Sequence, residues 1–271
     1  MPEIVQITSR DNARLKDAKR VREGKVHDRI FIEGVRLVEE AVRSNVELDC
    51  LFVSDEGDDR ASAVIENAAA ADIYRLSNAG FKSISDTVTS QGLAAIARRP
   101  SSGQTRVEER LANSSSPVVV FLYEINNPSN LGAVVRTADA AGVAGLILSS
   151  RSADAFSPKA LRSSMGSGFR VPIWEDVNLN DALKWARSND LKTVATQAAA
   201  ATAYTELDWT LPRMILLGSE AHGLPSEEVK KVDDRISIPM ESQVESLNLA
   251  VACGVVLFEA RRQRVAAQRM G

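Results

Sequence analysis

The stretch PVVVFLYEINNPSNLGAVVRTADAAGV, residues 117–143, decides the fold of the larger part of this chain. Its run of β-branched and aromatic residues from Val118 to Leu122 is typical of a parallel strand buried on both faces. The residues after the polar turn predict a helix from Leu131 to Ala141, with Gly142 as its C-cap. The core-facing stripe of this helix has the spacing i, i+3, i+4, i+7 and consists of Leu131, Val134, Val135 and Ala138. The stretch therefore predicts the first strand, turn and helix of an α/β sheet.

The same alternation continues to the end of the chain and predicts one parallel sheet over residues 117–271. No internal repeat is found in it. The predicted strands cover residues 145–148, 171–174, 192–195, 213–217 and 235–238. The predicted helices begin near 157–158 or cover 179–188 and 247–268.

The first 99 residues predict a second, smaller α/β domain. Its predicted helices cover 11–22, 34–44, 61–71 and 78–84, and its strands 29–33, 51–53 and 73–76. Between the two parts, RRPSSGQTRVEERLANSSSP is rich in Ser, Pro and charge. It predicts a linker over residues 100–116, with a short helix near 108–111.

Composition is that of an ordinary soluble globular protein, with 271 residues, 44% hydrophobic and 25% charged. No apolar run suits a secretory signal or a membrane span, which needs about 20 apolar residues. Cys50 and Cys253 lie in apolar surroundings and are interpreted as buried free thiols. Together these features favour a reducing cytoplasm.

The net charge of −3 argues against non-specific binding of nucleic acid, but the charge is unevenly distributed. Between Arg10 and Arg29, eight basic residues face four acidic ones, and four arginines between Arg261 and Arg269 close the chain. By itself this pattern fits a solvated helix face as well as an RNA surface.

The turn after the first strand of the larger domain carries polar side chains where ligands bind in α/β sheets. It has neither the Gly-x-Gly-x-x-Gly of a dinucleotide site nor a P-loop lysine. Asn130 is either an N-cap or a site residue. Arg136 lies off the apolar stripe and is expected about one turn into the helix, near the strand ends; the alternative is a surface arginine.

Two later loops are also unusual. In LLGSEAHGLP, residues 216–225, two glycines flank Glu220 and permit close approach of backbone to a ligand; a plain strand–turn–helix connection is the alternative. Before the last helix, Ser246 suits an N-cap, whereas capping does not explain Asn248. The start of that helix can also hold an anion or a carboxylate.

Together these loops resemble the SpoU (TrmH) family of RNA ribose methyltransferases, in the SPOUT superfamily. The first motif is similar to Asn127-Pro128-x-Asn130-x-Gly132-Ala133-x-x-Arg136-Thr137-Ala138 and the second to Leu217-Gly218-x-Glu220-x-x-Gly223-Leu224. The third is similar to Ile238-Pro239-Met240 through Ser246-Leu247-Asn248. The resemblance spans residues 117 to 264. More weakly, FIEGVRLVEE at 31–40 resembles the family's substrate-binding domain, which is similar to RNA-binding ribosomal proteins.

The resemblance implies a trefoil-knotted C-terminal domain, a homodimer, and S-adenosylmethionine as cofactor without a metal. It assigns cofactor binding to Thr196, Gly218, Ile238 and Leu247. It assigns the catalytic face to Asn130, Arg136, Glu220, Ser246 and Asn248. It also favours the basic helix as an RNA surface formed by Arg10, Arg14, Lys16, Lys19, Arg20 and Arg22.

The implied reaction methylates a ribose 2′-hydroxyl, of ribosomal RNA rather than transfer RNA. The resemblance implies that Arg136 acts as the base, but arginine keeps its proton. An electrostatic role is physically easier, in which Arg136 binds a phosphate and stabilises the developing alkoxide. The alternatives are a catalytically silent RNA-binding protein and an enzyme that methylates a base. Leu122 to Asn127 and Ser129 depart from the family pattern, which bears on the substrate more than on the activity.

Overall fold

The structure is a computed structural model that describes residues 4–9, 11–55, 59–68, 72–220, 222–241 and 246–270. It divides into two compact units. Unit 1 comprises Met1–Pro100 and Ala155–Phe169, and unit 2 comprises Ser101–Asp154 and Arg170–Gly271. None of the helices in the described residues combines the length and the apolar character that a membrane-spanning helix requires.

Helices and strands alternate along the described residues, except that three strands follow one another between residues 192 and 217. The elements up to residue 112 are β1 (Ile4–Ile7), α1 (Ala13–Arg22), β2 (Arg29–Glu33), α2 (Val35–Arg43), β3 (Leu48–Ser54), α3 (Asp59–Asn67), β4 (Asp72–Leu76), α4 (Asn78–Ile84), β5 (Leu93–Arg98) and α5 (Gln104–Ala112). The elements after residue 112 are β6 (Val118–Leu122), α6 (Pro128–Ala141), β7 (Gly145–Leu148), α7 (Pro158–Ser164), β8 (Ile173–Trp174), α8 (Leu179–Ser188), β9 (Lys192–Thr196), β10 (Thr202–Ala203), β11 (Arg213–Leu217), α9 (Ser226–Val229), β12 (Asp234–Ser237) and α10 (Leu249–Met270).

Unit 1 is built on a mixed sheet of five strands within the described residues, in the order β1-β4-β3-β5-β2. β5 runs antiparallel to both of its neighbours, whereas the pairs β1–β4 and β3–β4 are parallel. α1 and α4 pack on one face over a core that includes Leu15, Phe31, Phe52 and Phe81. The structure confirms the predicted bounds of β2 and α4. It adds β1 and β5, which sequence patterns did not predict.

Unit 2 is built on a parallel sheet of seven strands among the described residues, in the order β10-β12-β9-β11-β6-β7-β8. β6 is buried at every residue and pairs with β11 on one side and β7 on the other. The chain runs outward from β6 to β7 and β8, and later returns to the other side of the sheet. The predicted parallel α/β sheet is confirmed, and the connection reverses direction between β6 and β11, where such sheets bind ligands.

Two segments depart from the predicted domain bounds. Much of the predicted linker 100–116 is α5, whose Val107 is fully buried in the core of unit 2. The predicted short helix near 108–111 lies inside α5; because only one narrow face of α5 is apolar, the sequence pattern showed less than its full length. Residues 155–169, predicted as part of the larger domain, belong to unit 1, where α7 packs against β2.

Candidate active site

A cleft opens at the carboxyl edge of the sheet in unit 2, beyond β9, β11 and β12. The start of α10 closes its remaining side, and its volume is about 330 Å³, within the range of small-molecule sites. Seven of the nine predicted catalytic and cofactor-binding residues line it: Thr196, Gly218, Glu220, Ile238, Ser246, Leu247 and Asn248. The remaining two, Asn130 and Arg136, do not.

The loop after β11 folds back tightly on Gly218. The Ser219 amide donates to the Gly223 carbonyl at 3.2 Å, and the Gly223 amide donates to the Ser219 carbonyl at 2.8 Å. A Cβ on Gly218 would lie 2.1 Å from the Gly223 carbonyl carbon and 2.3 Å from the Leu224 nitrogen, so no larger residue fits. The closed loop carries Glu220 at its tip.

Three predicted site residues from three different loops form one hydrogen-bond chain. Asn248 Oδ1 accepts from the Ala250 amide at 2.9 Å, and Asn248 Nδ2 donates to Asn130 Oδ1 at 3.4 Å. Asn130 Nδ2 in turn donates to the Glu220 carboxylate. Because the bond to Ala250 fixes which end of the Asn248 amide is oxygen, it sets the direction of the whole chain. Asn130 therefore joins the rim of the cleft through Asn248 and Glu220.

The structure excludes Asn130 as an N-cap, an alternative that the sequence leaves open, and the expectation that Ser246 caps α10 is wrong. Asn127, not Asn130, caps α6, because its side chain accepts from the Ser129 amide at 2.9 Å and Pro128 takes the first helical position. Asn248, not Ser246, caps α10: its carbonyl accepts from Ala252 and its side chain from Ala250. Capping therefore explains Asn248. Because Asn127 caps α6, the Asn130 side chain takes part in the hydrogen-bond chain instead.

Arg136 lies farther along α6 than the sequence predicted. Since α6 begins at Pro128 rather than Leu131, Arg136 is eight residues into it, about 12 Å along the axis. Its side chain is exposed. Within the part of the chain that the structure describes, no hydrogen bond or ion pair occupies its guanidinium. The expectation that it lies one turn into the helix is wrong, whereas its place off the apolar stripe is confirmed.

The cleft combines apolar walls with a few polar groups. Leu217, Ile238 and Met240 supply apolar surface, and Thr196 Oγ1 donates to the Leu216 carbonyl at 3.3 Å. The sequence assigned no role to Gln197, which directly follows β9, or to Met240, which belongs to the third motif and lies three residues after the end of β12. This mixed lining can hold the adenine, ribose and amino-acid parts of S-adenosylmethionine.

The described part of unit 2 contains neither a candidate cluster of metal ligands nor a reactive thiol. No group of three or more His, Cys, Asp or Glu residues is placed there to hold a metal. Cys253 on α10 is buried, and burial raises the pKa of its thiol to about 12. It therefore stays a protonated core residue, as does Cys50 in unit 1, for which burial also raises the pKa to about 12.

The predicted RNA surface on α1 is only partly available. Arg22 Nη1 donates to the carbonyls of Ile84 and Ser85, both at 2.9 Å, so this side chain supports the end of α4. Arg14 lies over the Tyr74 ring, 5.3 Å from its centroid. Lys16 pairs with Asp11 at 3.3 Å in an exposed position. Lys19 is half-buried, Arg20 is exposed, and Arg10 lies outside the described residues.

The C-terminal basic run also includes a structural arginine. Arg264 donates to the carbonyls of Ala260, Ser116 and Ala141, the last of which ends α6. Burial lowers its pKa below the usual arginine range. Arg262 pairs with Glu259. These two side chains therefore support α10 and α6.

Both units match known protein families. The model of the SpoU rRNA Methylase family matches residues 117–258, and the model of the MRM3-like substrate binding domain matches residues 12–95. Over 259 residues the chain is 32% identical to the 23S rRNA (guanosine(2553)-2'-O)-methyltransferase RlmP of Bacillus subtilis. That alignment covers 94% of this chain and 99% of the relative.

Solved structures of similar proteins have the same fold over nearly the whole chain. A crystal structure of an RNA 2'-O ribose methyltransferase has a TM-score of 0.80 and 29% identity, covering 97% of this chain and 100% of its own. The AdoMet-bound rRNA methyltransferase from Sinorhizobium meliloti has a TM-score of 0.82 and 29% identity, covering 96% and 98%.

Proposed function

This chain belongs to the SpoU rRNA methylase family, and from that premise we propose the substrate and the residue roles of an S-adenosylmethionine-dependent RNA (ribose-2′-O-)methyltransferase. The enzyme transfers a methyl group from S-adenosylmethionine to a ribose 2′-hydroxyl, and the proposed substrate is ribosomal RNA. The observation that carries this proposal is the chain of Asn248, Asn130 and Glu220 beside the loop that closes on Gly218.

The cofactor is placed in the cleft beyond β9, β11 and β12. The backbone at Gly218, Ile238 and Leu247 would hold it, with Thr196 at the wall; all four line the cleft. S-adenosylmethionine supplies a methyl group already activated on a sulfonium. What the protein adds is alignment of the ribose oxygen and help in removing its proton.

The polar groups at the rim align the ribose and help to remove its proton. Asn130 and Asn248 have amides held in one direction, so they can orient the ribose without reorganising. Glu220 completes the chain as an acceptor, and Ser246 lines the same rim. Arg136 is assigned to a neighbouring phosphate and to negative charge developing on the ribose oxygen. Its guanidinium is suited to bidentate binding of phosphate and keeps its own proton.

Ribosomal RNA is favoured over transfer RNA because the relative in Bacillus subtilis is named for 23S rRNA and residues 12–95 match a substrate-binding domain. Incubation of the purified protein with labelled S-adenosylmethionine and total RNA, followed by nucleoside analysis, tests this. We expect a 2′-O-methylated nucleoside in large-subunit rRNA. Label in transfer RNA, label on a base, or no label at all would each overturn a different part of the proposal.

We also place the enzyme in the cytoplasm, where ribosomal RNA occurs and the free thiols stay reduced.

A homodimer is proposed on the exposed face of α10. Val251 and Phe258, seven residues apart on one side of the helix, are 53% and 48% exposed, an unusual apolar stripe for a solvent-facing helix. The position of Arg136 outside the cleft also supports an assembly in which a second copy completes the site. The trefoil knot of the family is proposed for the C-terminal part of unit 2, where the end of β12 and the start of α10 line the cleft together with the loop after β11.

Replacing Phe258 by aspartate should dissociate the dimer, because a carboxylate on the apolar stripe would have to be desolvated in the interface. Light scattering at micromolar protein should then report the monomer mass, and methylation should fall with it. Gln268→Asp adds the same charge at an exposed position on another side of α10 and should leave the dimer intact. An F258D protein that keeps the dimer mass would exclude this face.

A further inference from the structure

The loop between α4 and β5 in unit 1 is held in place at both ends by hydrogen bonds to other elements. It runs from Ser85 to Gln91, and we call it the pinned loop. Connections between a helix and a strand commonly need only about two to six residues. This one is longer, and its base is supported by a buried carboxylate.

Glu33, at the end of β2, provides that carboxylate and is only 4% exposed. It accepts hydrogen bonds from the Ser85 hydroxyl, from the Asp86 amide at 2.7 Å and from the Thr87 hydroxyl at 2.8 Å. In the described part of unit 1, no basic side chain forms an ion pair with it. Since burying an unpaired charge is costly, three donors from one loop indicate that Glu33 serves to fix that loop.

Other side chains reinforce both ends. Arg162 Nη2 donates to Asp86 Oδ2 at 2.6 Å, although Nη1 of the same guanidinium is buried without a hydrogen-bond partner among the described residues. Arg22 donates to the Ser85 carbonyl. At the far end, Gln91 Oε1 accepts from the Val35 amide at 3.0 Å, which ties the loop to the start of α2.

The middle of the pinned loop faces outward. Val88 is 102% exposed, the most exposed large apolar side chain in the described structure, and Thr89 and Ser90 are exposed beside it. Arg36, one residue after Val35, is exposed in the first turn of α2, which contains no acidic residue. A cation in this first turn is opposed by the helix dipole. A rigid base under an outward-facing apolar and hydroxyl tip is the arrangement of a preorganised contact loop.

We propose that the pinned loop contacts the RNA substrate through Val88, Thr89 and Ser90, with Arg36 on a neighbouring phosphate, and that Glu33 is its positioning residue. This inference depends on the proposed function, which makes RNA the substrate. RNA is the occupant because the loop lies inside the segment that matches a substrate-binding domain. Hydroxyls and arginine bind ribose and phosphate, while an aliphatic tip packs on an unstacked base.

Replacing Val88 by aspartate tests the contact without disturbing a core, because the side chain is fully exposed. The charge should repel phosphate, so KM for protein-free, unmodified large-subunit rRNA should rise about tenfold while kcat and S-adenosylmethionine binding stay unchanged. Ser62→Asp places the same charge on the exposed surface of α3 in the same unit and should leave KM unchanged. Equal KM values for V88D and the native protein would overturn the contact.

A cross-linking measurement does not depend on turnover. A photoreactive maleimide on Val88→Cys should label that site alone, because Cys50 and Cys253 are buried. Illumination should then join the full-length protein to rRNA, whereas the same probe on Ser62→Cys should not. Equal yields from both sites would refute the contact. If cross-linking succeeds but no RNA is methylated, the proposed function fails while the RNA contact stands.

Glu33→Gln tests the positioning role. An amide of the same size has only one acceptor oxygen for the Ser85, Asp86 and Thr87 donors, so the loop should lose its fixed shape. We expect the V88D pattern, a KM raised about tenfold with little change in kcat. General destabilisation would instead lower the active fraction, and with it kcat, at unchanged KM; that result, or normal kinetics, would overturn the assignment.

Discussion

Gly218→Ala should abolish binding of S-adenosylmethionine. The new methyl group would meet the Gly223 carbonyl carbon at 2.1 Å, the Leu224 nitrogen at 2.3 Å and the Gly223 Cα at 2.6 Å. All three are backbone atoms, so no side-chain rotation can relieve the clash. The loop would have to open, which breaks the two hydrogen bonds between Ser219 and Gly223 and displaces Glu220 from Asn130.

We expect the affinity for S-adenosylmethionine or its demethylated product to fall at least about 100-fold, which is about 2.7 kcal/mol. Isothermal calorimetry measures this, and circular dichroism verifies that the variant is folded. Gly254→Ala is the matched control in the same unit, because its Cβ would meet only Thr137 Cγ2, at an ordinary 3.6 Å. Normal affinity in a folded G218A protein would remove this loop from the cofactor site.

Gly223→Ala separates crowding from backbone strain. Gly223 has φ +65° with open space around its Cβ position, so alanine there costs only the strain of a left-handed conformation, about 1 kcal/mol. Its loss of affinity should be several-fold at most. The contrast between the two glycines follows from the fold of the loop, which the two-glycine pattern alone did not reveal.

Sequence patterns located the sheet of unit 2 well because its strands are continuous apolar runs. β6 and β11 have the predicted bounds, and both are fully buried. β5, with the sequence LAAIAR, escaped prediction because alanine has little strand preference; tertiary pairing with β2 and β3 makes it a strand. The sequence predicts only residues 108–111 of α5 as helix, because a single buried residue, Val107, gives the helix little apolar periodicity.

The sequence could predict which residues belong to the site, but not which of them form hydrogen bonds with one another. Adjacent candidates compete as helix caps at both Asn127–Asn130 and Ser246–Asn248, and local sequence cannot choose between them. The choice is made by partners far along the chain: Asn130 bonds to a residue 90 positions away and Asn248 to one 118 positions away. Only the folded sheet brings these loops together.

Arg136→Ala should lower kcat about 1,000-fold while leaving S-adenosylmethionine binding unchanged. Arg136 lies outside the cleft, so the cofactor does not lose a contact. Its side chain is exposed and has no partner among the described residues, so the free energy of unfolding should change by no more than about 0.5 kcal/mol. The loss falls on turnover because removing one preorganised charge from a developing oxyanion costs about 100- to 1,000-fold.

Arg136→Lys tests which property of the side chain matters. Lysine keeps the charge but loses the planar fork that binds phosphate through two hydrogen bonds, so it should recover only part of the lost rate. Arg187→Ala removes another exposed helical arginine of unit 2 and is the matched control; it should stay fully active. Single-turnover methylation of rRNA measures the effect on the chemical step, and calorimetry measures the effect on cofactor binding.

If R136A turned over at near-native rate, the Arg136 guanidinium would be neither base nor electrostatic stabiliser, and the catalytic face would reduce to Asn130, Glu220, Ser246 and Asn248. If R136K matched the alanine variant instead, the two-pronged hydrogen bonding rather than the charge would be the decisive property.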